Sequence, residues 1–335
     1  MLSEKFKNTV QQLKQNRDYD GLYKLIWKCD DYQKVHVTEA LKEIGDEKAM
    51  ETLAKIITRD PTEFGRIAST SLSKMDNVAD VVKYAILAYE NGIKKGVAKS
   101  SVVGVNLEES VKLVISSLGE KAVEPLLDIL TTEGEIDLSN LINKLLPLCI
   151  TDNSIELLKV KLFYPERWIR EIVSDNLLYL KWVPSTIEEK VTVLISKYDW
   201  KELVKLGEPA VEYLIESMNI KDECFIKRKP KIIKVIGEIG SSKAVESLIE
   251  TLNDNSYPKA TIKALGNIGD PKAVTAILNH SKHTGFFSNL FNSSLYVDAL
   301  TQIGEPAKKS LTMALDDSNK NVQKIARKAL KNLKS

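Results

Sequence analysis

Apolar residues recur at helical spacing through residues 246–278: Leu248, Ile249 and Leu252, then Ile262, Leu265 and Ile268, then Val274, Ile277 and Leu278. Steps of three and four keep each set on one stripe of an α-helix. Polar and turn-forming residues separate the sets, namely Asn253–Pro258 and Gly269-Asp270-Pro271. The stretch therefore predicts the end of one helix, a turn, a second helix, a Gly-Asp-Pro break and a third helix. Its closing phrase, Ile268-Gly269-Asp270-Pro271-Lys272-Ala273-Val274, repeats Ile239-Gly240-Ser241-Ser242-Lys243-Ala244-Val245.

Anchored on its glycine, the phrase recurs at Gly45, Gly119, Gly207, Gly240, Gly269 and Gly304, with weaker copies at Leu72–Val78 and Cys149–Leu158. The last four glycines are separated by 33, 29 and 35 residues. A period of that size marks a solenoid of paired elements, each burying its neighbour's apolar face. The parts of the phrase have physical roles. Glycine closes a helix in the left-handed conformation without a Cβ clash. The acid or serine after it is placed to accept the orphan N–H groups of the next helix. Pro209, Pro271 and Pro306 fit a first helical turn, where a missing N–H costs little.

The same reading extends to the rest of the chain. It predicts an amphipathic opening helix over Leu2–Asn16, then helices over Leu22–Cys29, Val35–Ile44, Lys48–Thr58 and Phe64–Lys74. Residues 76–118 read as irregular, with a helix over Val78–Glu90 and a loop from Asn91 to Gly96. Leu180–Thr186 breaks the pattern again between Trp168 and Trp200, and Asn279–Ser294 reads as a long aromatic turn carrying Phe286, Phe287 and Phe291. The division expected is 1–159 as degenerate N-terminal repeats, 160–206 as a Trp-containing helical junction, and 207–335 as regular repeats continuous with the rest.

The glycine phrase resembles the HEAT repeat, in the short form named after phycobilisome lyases (the PBS lyase HEAT-like repeat). The resemblance is strong over residues 200–335, fair over 22–60 and 110–130, and weak elsewhere. It implies an all-α fold, an α-solenoid (superhelix) of roughly eight to ten HEAT-like helix pairs. In this family the second helix often opens on Val/Ile-Arg, a pair kept here as Ile169-Arg170, whereas Pro258 and Lys229 stand at the equivalent places elsewhere. Trp182-Val183-Pro184, a Glu-rich helix from Ile187 and Asp199-Trp200 resemble a helical insert of the same family. Packing of a non-standard joint accounts for these tryptophans; an exposed partner anchor is the sharper reading.

Composition narrows the function. Three cysteines, Cys29, Cys149 and Cys224, lie far apart and lack the paired spacing of a disulfide framework or a zinc site, so they read as reduced thiols of a cytoplasmic protein. No leader-like apolar segment and no run long enough for a membrane span is present. With three histidines in the chain, His280 and His283 share one helical face but lack a third ligand. Gly96-Val97-Ala98-Lys99-Ser100 lacks the glycine that a phosphate loop needs before its lysine. No nucleophile elbow, His-Glu metal motif or dinucleotide fingerprint is found, so the expectation is a non-enzymatic chain with no cofactor and no metal.

One constellation remains. Residues 191–335 hold 22 Lys/Arg against 16 Asp/Glu, while the whole chain is +2. Six residues before the glycines, in the second helix of each pair, stand Lys201, Lys234 and Lys263; ten before stand Lys197 and Lys259; Lys205 lies one turn beyond Lys201, and Lys324 and Lys328 continue the theme in the last helix. Early equivalents, Glu39 and Glu43, are acidic. An ordinary solvated helix face accounts for these lysines. Because second helices line the concave side of HEAT proteins, the resemblance also implies a basic strip along the C-terminal groove. That reading points to a protein partner, an acidic one, ahead of nucleic acid, since the pI is 8.1 and no aromatics interleave the strip. The function expected is a protein–protein interaction scaffold. An accessory or lyase-like subunit acting on a tetrapyrrole-bearing protein is the alternative, with nucleic-acid binding third.

Overall fold

The computed structural model describes residues 2–96, 101–132, 136–164, 166–219, 228–254, 257–282 and 286–333; for 101–105, 132, 136–137, 167 and 286–292 only the backbone is described. Among these residues every regular element is a helix. The chain divides into two compact units, residues 1–161 with 175–182, and residues 162–174 with 183–335.

The first unit contains α1 (Glu4–Gln15), α2 (Tyr19–Ile26), α3 (Asp31–Ile44), α4 (Glu47–Arg59), α5 (Glu63–Leu72), α6 (Val78–Lys94), α7 (Ser101–Leu118), α8 (Val123–Thr132) and α9 (Ile136–Leu145), with most of α10 (Ile155–Leu162). Odd helices α1, α3, α5 and α7 pack in one row and even helices α2, α4, α6 and α8 in a second. This is the two-layer stack that the repeat period implies. Caps set the boundaries. Asp30 and Gln33 form a reciprocal capping box, which starts α3 four residues before the expected Val35. Asp46 accepts the Ala49 N–H at 3.0 Å and, from the preceding repeat, the Arg17 guanidinium at 2.9 Å.

Two expectations in this unit are corrected. Asn91–Lys94 is not loop but the last turn of α6. Gly92 is buried there, and a Cβ on it would fall 2.2 Å from Leu107 Cδ2, so the residue that reads as a breaker is a packing notch for α7. Residues 101–118 form one helix whose apolar residues Leu107, Val111, Val114 and Ile115 are buried at i, i+4, i+7 and i+8.

After α11 (Arg167–Tyr179) come α12 (Ile187–Ser196), α13 (Trp200–Leu206), α14 (Val211–Asn219), α15 (Lys229–Ile239), α16 (Val245–Asn253), α17 (Pro258–Ile268), α18 (Ala273–Lys282), α19 (Phe286–Ile303), α20 (Lys308–Met313) and α21 (Lys320–Asn332). In the second unit, α13, α15, α17, α19 and α21 pack side by side in sequence. One apolar core runs from Val191 to Ala329. Asn279–Lys282 end α18 and the backbone from Phe286 is helical, so the long aromatic turn expected over Asn279–Ser294 is corrected at both ends; the side chains of Phe286, Phe287 and Phe291, and His283, lie outside the described residues. Trp200 packs against this core.

The repeat phrase works as its chemistry suggests, with one exception. Gly240 and Gly269 adopt φ +77° and return their N–H groups to Ile236 and Leu265, closing α15 and α17. Ser241 and Asp270 then accept N–H groups of the next turn. Glu208 and Glu305 make no such cap: their side chains are one methylene longer. Glu208 instead meets Lys243 of the following repeat at 3.4 Å.

Candidate functional site

Successive second helices bury the same numbered positions. Counted back from the closing glycine, α15 buries Ile232, Ile233, Val235, Ile236 and Gly237, and α17 buries Thr261, Ile262, Ala264, Leu265 and Gly266. In α19 the same count gives buried Tyr296, Val297, Ala299 and Leu300. Glycine and alanine are what allow the three helices to approach. A Cβ on Gly237 would sit 2.6 Å from the Cα of Ala264, and one on Gly266 would sit 2.8 Å from the Cα of Ala299.

Positions between the buried ones, together with the largely buried Ala264 and Ala299, line an open groove of about 770 Å³. Its lining is in register. Ten before each glycine stand Pro230, Lys259 and Ser294; nine before, Lys231, Ala260 and Leu295; six before, Lys234, Lys263 and Asp298. Small side chains Ala260, Ala264 and Ala299 line it between the lysines, and the amides Asn267 and Gln302 stand two before their glycines. Gln302 Oε1 lies 2.9 Å from where a Gly266 Cβ would be, so this amide reaches over the neighbouring helix.

The charge of the groove is four lysines against one aspartate. Lys234 meets Glu238 one turn along its own helix at 3.4 Å, a pair exposed on both sides and therefore weak. Among the described residues Lys231, Lys259, Lys263 and Asp298 are in no ion pair. Like charges gathered on one surface sum to a positive potential, screened over a Debye length of about 8 Å at physiological salt.

Of the lysines that the sequence singles out, Lys234, Lys259 and Lys263 share this groove, and Lys231 joins them. Lys197, Lys201, Lys205, Lys324 and Lys328 are exposed but do not line it. Lys197 stands at the end of α12; although the residue as a whole is exposed, partial desolvation of its ammonium group pulls its pKa down against the opposing pull of Glu171. Lys205 is held by Glu202, which raises its pKa. The early acidic counterparts are paired locally, Glu39 with Lys42 and Glu43 with Lys14.

Arg170, the family-like arginine, is buried and donates to the Tyr164 carbonyl, a role in local structure. Sequence reasoning missed a second buried arginine. Arg228 donates to the Ile195 carbonyl at 3.2 Å, meets Glu171 and lies 4.1 Å over the Tyr198 ring. Among the described residues no group of three or more His, Cys, Asp and Glu side chains is arranged to hold a metal ion, and no helix is long and apolar enough to cross a membrane.

Paired helices, a two-layer stack and a groove lined in register define an all-α helical-repeat fold of HEAT-like pairs. Residues 259–283, which supply the middle helix of the groove and the start of the next pair, match the family model of the PBS lyase HEAT-like repeat. Among solved structures the chain is similar to human deoxyhypusine hydroxylase in complex with glycerol, at 15% identity over 86% of this chain and 96% of that chain, with a TM-score of 0.29. It is also similar to an engineered protein, at 15% identity over 85% of this chain and 96% of that one, with a TM-score of 0.20. No curated protein matches it.

Proposed function

We propose that this chain is a non-enzymatic interaction scaffold whose C-terminal second helices hold a segment of a partner protein, with lysines steering acidic groups into the groove. The observation that carries the reading is the convergence of Lys231, Lys234, Lys259 and Lys263 on one open surface lined with small side chains. Ammonium groups gathered on one surface, three of them in no ion pair among the described residues and Lys234 held only by an exposed Glu238, favour an anionic occupant and speed its encounter. Small residues beneath them let a polypeptide backbone come close. A cytoplasmic setting belongs to this reading, in keeping with free thiols at Cys29 and Cys149.

The test is affinity capture from the native cell with the wild-type chain and with Lys234→Glu/Lys259→Glu/Lys263→Glu, at low and moderate salt. A partner retained by the wild type, released by salt and lost from the triple variant supports the reading. Unchanged capture by the triple variant removes the groove from the function.

A further inference from the structure

The groove is not uniformly basic. Along its second-helix register the charge runs Lys234, Lys263, Asp298, changing sign at the third helix. Lys231 strengthens the first position and Lys259 the second, while nothing basic in the lining accompanies Asp298. All three helices present these groups at the same count from their glycines, so the order is spatial as well as sequential.

From this order we infer that the groove selects an extended acidic segment with a set charge sequence: two acidic residues, then a basic one, each three residues apart. The inference rests on the scaffold reading and adds the chemistry of the occupant. Packed helices lie about 8–10 Å apart, and the glycine contacts keep these toward the short end. A polyproline II chain rises about 3.1 Å per residue with three residues per turn, so every third side chain returns to one face after about 9 Å. The period of the occupant therefore matches the period of the helices. Acidic groups at the first two positions meet Lys234 and Lys263; a basic group at the third meets Asp298. Asn267 and Gln302, alternately donor and acceptor, are placed for the backbone of a chain that makes no hydrogen bonds of its own. An all-acidic polymer, including a nucleic acid backbone, would set like charge against Asp298.

The test uses the full chain and fluorescein-labelled peptides. One carries Glu-Ala-Pro-Glu-Ala-Pro-Lys; the second, of identical composition and charge, carries Glu-Ala-Pro-Lys-Ala-Pro-Glu; the third carries Glu at all three places. The first is expected to bind about tenfold tighter than the second by fluorescence anisotropy. Asp298→Lys is expected to transfer preference to the third peptide. Equal binding of the first two, both lost in Lys234→Glu/Lys263→Glu, overturns the charge order and leaves the scaffold reading standing. Binding of none of the peptides overturns the inference while the capture experiment above still decides the scaffold. Tighter binding of a single-stranded or duplex oligonucleotide than of the first peptide also overturns it. Lys234, Lys263 and Asp298 are exposed, so circular dichroism melts of the variants should match the wild type.

Discussion

Gly237 lies so close to the backbone of Ala264 that a Cβ on it would sit 2.6 Å from the Ala264 Cα and 2.8 Å from its Cβ. No rotamer change relieves such a contact, because the atoms met belong to a backbone and to a methyl with no side chain beyond it. Gly237→Ala must push α15 from α17. Alanine gains roughly 1 kcal/mol over glycine in helix propensity, but overpacking costs about 1–3 kcal/mol. The expected net is destabilisation, read as a lower urea midpoint. A variant as stable as the wild type would show that the helices are freer to separate than this contact allows.

Arg228 and Glu171 form a largely buried ion pair in the second unit, with the arginine side chain 4% exposed and the glutamate 27%. Arg228→Ala removes the pair, the donor to Ile195 and the cation over Tyr198 together. Breaking a buried pair typically costs about 3–5 kcal/mol, and the partly exposed carboxylate puts the expectation near the lower end. Arg228→Lys, which keeps the positive charge but not the planar donor set, is expected to lose less than Arg228→Ala. A thermal melt of Arg228→Lys no higher than that of Arg228→Ala would refute the ion-pair account.

Tyr84 is buried and donates to Glu47 Oε1 at 2.8 Å. Burial first, and the bond to Glu47 second, push its pKa from 10.0 up to about 12. A raised acid pKa means that the folded state holds the proton more tightly. The contribution is whole below pH 10, shrinks as pH rises toward 12 and is gone above. Tyr84→Phe is therefore expected to be less stable than wild type at pH 8, by about 1 kcal/mol, with the gap closing above pH 10. Urea midpoints at pH 8, 10 and 11 check this; a constant gap would contradict it.

Cys149 is 3% exposed, and burial pushes its thiol up to about 12. Thiolate is the reactive form. Iodoacetamide at pH 8 is expected to spare Cys149 in the native chain and to modify it in urea, followed by peptide mass spectrometry. Rapid native labelling at Cys149 would mean that this part of the first unit opens readily.

Much of the architecture was legible because the repeat phrase combines signals that agree: a helix-closing glycine, a cap and an apolar stripe. It failed where one residue type serves two purposes. Gly92 has the composition of a loop but is a notch for Leu107, and only the neighbouring helix reveals that. Arg228 sits in a run of basic residues in which no sequence signal marks it from its neighbours, and tertiary packing alone buries it. The groove was half legible. The count from glycine finds Lys234 and Lys263, and carried on to Gly304 it finds Asp298, which a search for lysines alone passes over. Lys231 needs the three-dimensional lining, because it stands at a place where its neighbours have Ala260 and Leu295.

The shared register has an evolutionary corollary. Each second helix supplies its own rung of exposed side chains, while the glycine and alanine contacts that set the spacing are made by other positions of the register, three and five before each glycine. Exchanging one rung alters a single subsite and leaves the neighbouring rungs and the stacking intact, since sites without shared partners contribute additively. A chain built this way can acquire a new client by point substitutions at one position per helix, without renegotiating its fold.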